Sequence, residues 1–304
     1  MVQTRRAAAA ERSEEGLERV LSNLQASCSS TPVAPPVSSK FAAVLVPLFE
    51  DPVSGEVHVV LNQRSSRLNT HSGEVCFPGG KRDLGDADDI ATALREAQEE
   101  LGIDPAAVQV VGCLPPFLSK HLLSVTPVVG IILPHLRFHP NPTEVAAVFT
   151  VPLRRFLEAG PGYSSRDVEW QPGLPYRLHY FDYAHRGRSF CIWGLTAGML
   201  IVVAEKAFRR RPAFQPNPPN ALPYTCLAVG PAGQLVFRAG ALPGSPTAAA
   251  VPDALGLAAE AAAEESPRSA AMQGAVVTHD EAAAALGVGD QGEGGSSSSS
   301  DGGG

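Results

Sequence analysis

The chain has little cysteine, no long apolar run and no surplus of basic residues, and each absence argues against a class of protein. Its five cysteines, in 304 residues, are scattered without metal-ligand spacing, which favours reduced, structural thiols over a disulfide scaffold or zinc site. The most apolar stretches, 125–133 and 195–204, are about half the ~20 residues that a bilayer requires. A formal net charge of −7 argues against broad binding to nucleic acid.

The most informative segment is 79–103, where a glycine turn and an acidic approach precede Arg95-Glu96-x-x-Glu99-Glu100-x-Gly102. Helical positions three and four apart are neighbours, so Glu96, Glu99 and Glu100 project close together. Like charges at this spacing oppose helix formation, which indicates a hard divalent cation among them. The alternative is a solvated acidic helix in which Arg95 is a local ion-pair partner.

The same segment predicts a helix that docks on a core. Ala91, Leu94, Ala97 and Leu101 form an apolar stripe on another face, so the carboxylates can face a cleft. Gly102 is well placed to end the helix in the left-handed conformation.

These residues resemble the signature of the Nudix hydrolases: glycine, a spacer, glutamate, a spacer, then Arg-Glu-x-x-Glu-Glu-x-Gly. The second half matches fully, whereas the first half is one residue longer after Gly80 and has Asp86 near the usual glutamate. The resemblance implies a loop and helix that hold Mg²⁺ or Mn²⁺ against a diphosphate. It implies Glu96 and Glu100 as the main metal ligands, with Glu99 assisting.

Residues 61–81, immediately upstream, resemble the extra motif of the coenzyme A diphosphatase branch of that family. Asn69 stands where the motif commonly has arginine, with Arg67 as a possible substitute. Similarity to plant and algal members of the branch continues to about residue 214, through 117–122, 141–145, 179–183 and 192–198. The resemblance implies metal-dependent hydrolysis of coenzyme A and acyl-CoA to 3′,5′-ADP and (acyl-)4′-phosphopantetheine.

The pattern of apolar residues and turns predicts three parts. Residues 1–37 contain an amphipathic helix over 7–25 and a linker, 38–214 form the Nudix hydrolase domain, and 215–304 are low-complexity and mostly disordered. Strands are predicted at 42–49 with a break at Pro47, and at 57–61, 108–111, 125–133 and 145–151. A hairpin over 178–193 and a helix over 195–209 follow, and a second hairpin over 224–237 stays open. The expected fold is an α/β class protein, an α/β/α sandwich around a mixed sheet.

Several residues outside the metal ligands are candidates for the chemistry. The carbonyl of Gly80 is a candidate to complete the metal site, because glycine permits close backbone approach. Arg95 is expected to orient the glutamates. The base that takes a proton from water is Glu99 or Glu144, and we favour Glu99 or the metal itself as activator of the water. The candidates for binding phosphate, each also explicable as a surface cation, are Arg64, Arg67, Lys81 and Lys120.

Other functions are weighed against this one. Within the class, the alternative substrates are dinucleotides such as ADP-ribose and NADH. Outside it, the alternatives are a non-catalytic nucleotide-binding module and a scaffold dominated by the tails. No membrane or nucleic-acid partner is expected, and the oligomeric state is not predicted. Arg5 and Arg6 are typical of a transit peptide but acidic residues follow quickly, so the cytosol and a mitochondrial or plastid interior all stay open.

Overall fold

The structure, a computed structural model, describes residues 16–28, 38–68, 71–171, 174–219, 221, 227–229 and 235–237. The predicted tail beyond residue 237, most of the predicted linker, Asn69 and the start of the predicted N-terminal helix lie outside the described residues. Among the residues that are described, no helix has both the length and the apolar character needed to cross a membrane.

The main sheet has eight strands within the described residues and is mixed, as predicted. Its central strand, β1 (Phe41–Glu50), pairs antiparallel with β2 (Val57–Arg64) and β4 (Gly79–Lys81) at one edge and in parallel with β7 (Ser124–Ile132) at the other. The strands β3 (Val75–Cys76) and β8 (Val145–Pro152) pair with β2. The strands β5 (Val108–Cys113) and β6 (Phe117–Leu118) pair with β7.

Helices cover both faces of this sheet, because alternate side chains of β1 point to opposite sides. On one face, Leu45 shares a buried cluster with Ala97 and Leu101 of α2 (Asp89–Leu101). On the other face, Val46 shares a second cluster with Leu24 of α1 (Leu17–Gln25) and with α3 (Gly194–Phe208). The result is the predicted α/β/α sandwich.

A second, antiparallel sheet contains β9 (Tyr163–Gln171), β10 (Leu174–His185) and β11 (Arg188–Trp193). Arg186 and Gly187 join β10 to β11 with φ of 49° and 76°, the positive values that a two-residue hairpin turn favours. This hairpin was predicted, whereas β9 was not. The short strands β12 (Leu227–Val229) and β13 (Leu235–Phe237) pair antiparallel, so the hairpin left open at 224–237 has its two arms.

The predicted break at Pro47 is wrong, because β1 continues through that residue. On one edge Pro47 pairs with Gly130 of β7. On the other edge, β4 pairs with residues 42–44 and β2 with residues 48–50, which leaves Pro47 in a gap between two partners. Proline lacks a backbone N–H, and at this gap the sheet loses no ladder hydrogen bond.

Burial along α2 agrees with the predicted apolar stripe except at one position. Ala97 and Leu101 are fully buried and Leu94 is partly buried against the core. Ala93 is fully buried, whereas Ala91 is only half-buried. The buried face is therefore rotated slightly from the predicted one.

Candidate active site

Helix α2 carries the three signature glutamates, and local capping fixes both of its ends. The carboxylate of Asp88 accepts a hydrogen bond from the Ala91 N–H at 2.8 Å, which caps the first turn. Gly102 ends the helix in the left-handed conformation with φ of 67°, as predicted. These caps fix where the glutamates lie along the helix and around its axis.

Arg95 is the centre of a cluster of polar contacts, called here the Arg95 hub. Its guanidinium donates two hydrogen bonds to the Asp86 carboxylate, at 2.9 and 3.0 Å, and one to the Lys81 carbonyl at 3.1 Å. It also pairs with Glu96 at 3.1 Å and with Glu99 at 3.0 Å. The hub therefore joins the loop after β4 to α2 and orients two of the three glutamates.

The Asp86 carboxylate is part of the Arg95 hub. Besides the two bonds from Arg95, its carboxylate accepts one from the Asp83 N–H and one from the Thr92 hydroxyl, both at 2.9 Å. The hydrogen bonds from Arg95 hold the pKa of Asp86 far below its usual range. A carboxylate with four donors from the protein is suited to orienting Arg95 and has little capacity left for a metal.

A side chain at either glycine of β4 would force a neighbouring group to move. A Cβ at Gly80 would overlap the carboxylate of Glu96, and a Cβ at Gly79 would overlap the carbonyl of Ala43 in β1. The backbone of β4 therefore runs directly against Glu96, a close approach that only glycine permits. That the Gly80 carbonyl binds a metal stays a prediction.

Glu100 is the buried member of the glutamate set. Its Oε2 accepts hydrogen bonds from Asn62 Nδ2 at 3.1 Å and from the Gly79 N–H at 3.3 Å. Its Oε1 lies 3.7 Å from the Arg64 guanidinium. Burial raises the pKa of Glu100 to about 7; the charge of Arg64 opposes this rise, and that of Glu96 adds to it.

Asn62 is a site residue that the sequence analysis missed. It is fully buried in β2, and its side-chain Oδ1 accepts a hydrogen bond from the Cys76 thiol at 3.1 Å. Burial raises the pKa of Cys76 to about 12, so this thiol stays protonated and can donate. The available signal was a single asparagine at the end of the apolar run 57–61, because a buried polar group needs a partner.

Glu144 lies beside the glutamate helix, immediately before β8. Its carboxylate accepts a hydrogen bond from Asn141 Nδ2 at 3.3 Å, and the Asn141 N–H in turn donates to the Glu100 carbonyl at 2.9 Å. The pKa of Glu96 is raised, first by burial, and the negative charge of Glu144 contributes to the rise. The turn at 141–144 thus attaches Glu144 to the end of α2 and brings its charge near Glu96.

The four basic residues predicted to bind phosphate differ in their surroundings. Arg64 contacts the signature helix directly, through Glu100, and its side chain is 25% exposed. Lys81 is exposed, and its carbonyl belongs to the Arg95 hub. Arg67 and Lys120 are exposed on loops. The structure therefore places Arg64 at the carboxylates, whereas the other three basic residues lie at exposed positions.

Two loops bring further basic side chains together near Arg64. The rings of His71 and His121 meet edge to face with centroids 5.4 Å apart, and His71 Nδ1 lies 2.8 Å from the Glu74 carboxylate. The hydrogen bond with Glu74 raises the pKa of His71, while the positive charges of Arg64 and Lys120 oppose that rise. These four residues, Arg64, His71, Lys120 and His121, are called here the cationic cluster.

The donor set fits a hard divalent cation. Glu96 and Glu100 offer carboxylate oxygens, the ligands that Mg²⁺ and Mn²⁺ prefer, and burial raises the pKa of both groups. A cation between them would offset the repulsion of two desolvated charges. In the described part of the chain, no three Asp, Glu, His or Cys side chains already converge as a complete ligand set. Glu99 is 54% exposed and paired with Arg95, so it is the least committed of the three to the buried site.

The chain that carries this site is similar to a known protein family and to several known proteins. Residues 40–172 match the family model described as NUDIX domain. The chain is 52% identical over 177 residues to "Nudix hydrolase 15, mitochondrial" of Arabidopsis thaliana, covering 58% of this chain and 61% of the relative. It is 42% identical over 180 residues to "Peroxisomal coenzyme A diphosphatase NUDT7" of Mus musculus, covering 59% of this chain and 74% of the relative.

A bacterial relative gives broader coverage. Nudix hydrolase NudL of Klebsiella pneumoniae is 45% identical over 164 residues, which cover 54% of this chain and 81% of the relative. Among solved structures, an Ap4A hydrolase of C. elegans is 22% identical with a TM-score of 0.32, over 37% of this chain and 80% of that chain. The chain spans 61% and 60% of the lengths of two plant relatives. Identity at this level over most of the mouse and bacterial relatives shows that the chain belongs to the Nudix hydrolase family.

Proposed function

We propose that this chain hydrolyses the diphosphate bond of coenzyme A and acyl-CoA in a reaction that requires Mg²⁺ or Mn²⁺. The observation that carries the proposal is a contact between the two motifs. Asn62 and Arg64, from the segment that resembles the coenzyme A diphosphatase motif, both reach Glu100 of the signature helix. The mouse relative named as a coenzyme A diphosphatase supports the same substrate.

Glu96 and Glu100 would hold the divalent cation, with Glu99 assisting and the Gly80 carbonyl as a further candidate ligand. When bound, such a cation neutralises the non-bridging oxygens of a diphosphate and makes water a better nucleophile at neutral pH. The Arg95 hub keeps Glu96 against β4, so the carboxylate is in place before a ligand arrives. Preorganisation of this kind avoids the cost of ordering the side chain during the reaction.

Proton removal from the attacking water falls to Glu99 or Glu144. Glu99 accepts a hydrogen bond from the Arg95 guanidinium at 3.0 Å, so one of its oxygens is already engaged. Glu144 is bonded to the neutral amide of Asn141 and lies near Glu96. These contacts favour Glu144 as the base, whereas the sequence favoured Glu99 or activation of the water by the metal itself.

The cationic cluster would receive the phosphate groups of the substrate, together with Arg67 and Lys81. Coenzyme A carries a diphosphate and a 3′-phosphate, so it presents more negative charge than one arginine can balance. In the reaction, water adds across the P–O–P bond and releases 3′,5′-ADP and 4′-phosphopantetheine, or its acyl form. Nothing is oxidised or reduced, and no co-reactant besides water is needed.

Steady-state hydrolysis by the purified chain tests the proposal. The substrates are coenzyme A, succinyl-CoA, malonyl-CoA, ADP-ribose and NADH, each with Mg²⁺ or Mn²⁺ and with an EDTA control, and products are separated by chromatography. Metal-dependent release of 3′,5′-ADP from the CoA substrates is expected. A higher kcat/KM for ADP-ribose or NADH would reject coenzyme A as the substrate while keeping the metal site.

Glu100→Gln separates an enzyme from a non-catalytic nucleotide-binding module. The change removes a charge and keeps the size of the side chain, so we expect an unaltered circular dichroism spectrum and lost hydrolysis. An unchanged rate would refute the metal assignment. Removal of residues beyond 214 tests whether the tail contributes to activity.

The compartment is a separate proposal. Relatives are named as mitochondrial, chloroplastic and peroxisomal proteins, so the family works inside several organelles. We propose an organelle interior for this chain. Fluorescence microscopy of the chain with a C-terminal tag tests it, and a uniform cytosolic signal would contradict it.

A further inference from the structure

We infer that Asn62 and Cys76 are positioning residues for Glu100: the thiol sets the direction of the amide, and the amide fixes one carboxylate oxygen. The inference rests on the proposed function, because it takes Glu100 as a ligand of the divalent cation. Neither residue belongs to the glutamate signature.

Strand pairing brings the two side chains together. Asn62 and Cys76 are directly opposite one another in the antiparallel pair formed by β2 and β3, so their side chains lie on the same face. The Cys76 sulfur is 3.1 Å from Asn62 Oδ1, and Asn62 Nδ2 is 3.1 Å from Glu100 Oε2. Two hydrogen bonds therefore link three side chains, from β3 through β2 to α2.

The direction of these two hydrogen bonds follows from donor and acceptor chemistry. A carboxylate only accepts, so the amide must present its NH₂ group to Glu100 and its oxygen to Cys76. The thiol can donate to that oxygen and so favours the required orientation. If the amide turned over, its oxygen would face the carboxylate, and two acceptors would meet between two buried side chains.

The donors that bind Oε2 of Glu100 are neutral, so their effect on the charge of this carboxylate differs from that of an arginine. Asn62 and the Gly79 N–H fix Oε2 of Glu100 without cancelling its negative charge. The oxygen Oε1 faces the partly exposed Arg64 at 3.7 Å. The carboxylate is thus held in one orientation while its charge stays available to attract a divalent cation, which is the role of partners that orient metal ligands.

The test measures Mn²⁺ binding by isothermal titration calorimetry, independently of turnover, in the full chain. Asn62→Leu is expected to lower Mn²⁺ affinity about 10-fold to 100-fold, the usual effect of removing a group that orients a metal ligand. Cys76→Ala is expected to lower it about 3-fold, the contribution of one hydrogen bond. Cys76→Ser keeps a donor and is expected to stay within about 2-fold of the parent chain.

Cys113→Ala is the matched control, because it truncates a buried thiol outside this network. It is expected to lower thermal stability as much as Cys76→Ala does and to leave Mn²⁺ affinity unchanged. If Asn62→Leu does not fold, the comparison of serine with alanine at position 76 still decides the question.

Three outcomes separate the hypotheses. Equal Mn²⁺ affinity in the parent, Asn62→Leu and Cys76→Ala chains, with only stability reduced, would show a purely structural role and overturn the inference while leaving the proposed function intact. Failure of the parent chain to bind Mn²⁺ would overturn both. Weaker Mn²⁺ binding by Cys76→Ala than by Cys76→Ser supports the inference.

Discussion

Burial of Glu100 predicts that the metal-free protein is destabilised above neutral pH by a group proposed to be its metal ligand. The pKa of Glu100 is raised from 4.5 to about 7, chiefly by burial. At about 1.4 kcal/mol for each tenfold change in an ionisation constant, ionised Glu100 costs the fold about 3 kcal/mol. Glu100→Gln removes that charge while keeping an oxygen that can accept from Asn62 and Gly79.

The sign follows from proton linkage. Between pH 4.5 and about 7, the folded state binds a proton at this site more strongly than the unfolded state does, so stability falls as the pH rises. The cost is absent at low pH and complete above about 7. Relative to the parent chain, Glu100→Gln should therefore gain stability as the pH is raised.

Thermal unfolding in EDTA at about pH 5 and about pH 8 measures the effect. A gain of about 3 kcal/mol corresponds to a rise of roughly 5–10 °C in Tm for a domain of this size. Glu99→Gln is the control, because it makes the same chemical change on the same helix at a side chain that is 54% exposed. A small change in Tm, similar at both pH values, is expected.

Addition of Mg²⁺ or Mn²⁺ should reverse the ranking of the two chains. A cation that binds the folded parent raises its stability by mass action, and the glutamine variant should gain much less. The reasoning is refuted if Glu100→Gln lowers Tm equally at both pH values in EDTA, or if metal stabilises the two chains equally.

Three further predictions concern the surroundings of the glutamates. Gly80→Ala should lower kcat/KM at least about 10-fold, because the new methyl group displaces the Glu96 carboxylate, and an unchanged rate would contradict the close approach. Asp86→Ala should lower kcat about 10-fold to 100-fold by releasing the Arg95 hub. Asp83→Ala is its control: that carboxylate is 3.9 Å from the hub and 72% exposed, so steady-state rates within about 2-fold of the parent are expected. Lys120→Ala should raise KM for coenzyme A more than for 3′-dephospho-CoA if the cationic cluster binds the 3′-phosphate; equal increases would argue against that placement.

The sequence was sufficient for the parts of the site that depend on local spacing. Helical periodicity alone predicted that Glu96, Glu99 and Glu100 lie close together, and Gly102 predicted the end of the helix. These features involve residues within a few positions of one another, so no knowledge of strand pairing was needed.

The contacts of Glu100 could not be predicted from local spacing in this way. Asn62 precedes it by 38 residues and reaches it only because β1, the neighbour of β2 in the sheet, packs against α2. Which face of β2 meets the helix depends on register, and a shift of one residue would exchange Asn62 for Gln63. The role of Asp86 was likewise open, since its separation from Arg95 is set by a loop.

The expectation about Pro47 failed for a related reason. Proline within a strand argues for a break when every edge of the strand is paired. Here β1 changes partners from β4 to β2 along one edge, and the proline falls between them. A property of the whole sheet thus overrides a local rule, and no window of sequence around Pro47 contains that information.

The negative charges of the three glutamates on α2 are accommodated in two different ways. Glu96 and Glu99 are balanced by Arg95, whose position Asp86 fixes. Glu100 is held mainly by neutral donors, so its charge is oriented but not cancelled, and burial raises its free energy when ionised. A divalent cation bound as proposed would therefore gain most at Glu100, whose nearest counterion, the Arg64 guanidinium, is 3.7 Å away. The stability lost there in the metal-free protein would contribute to the proposed binding of the metal, which is why stability and metal affinity should change in opposite directions when that charge is removed.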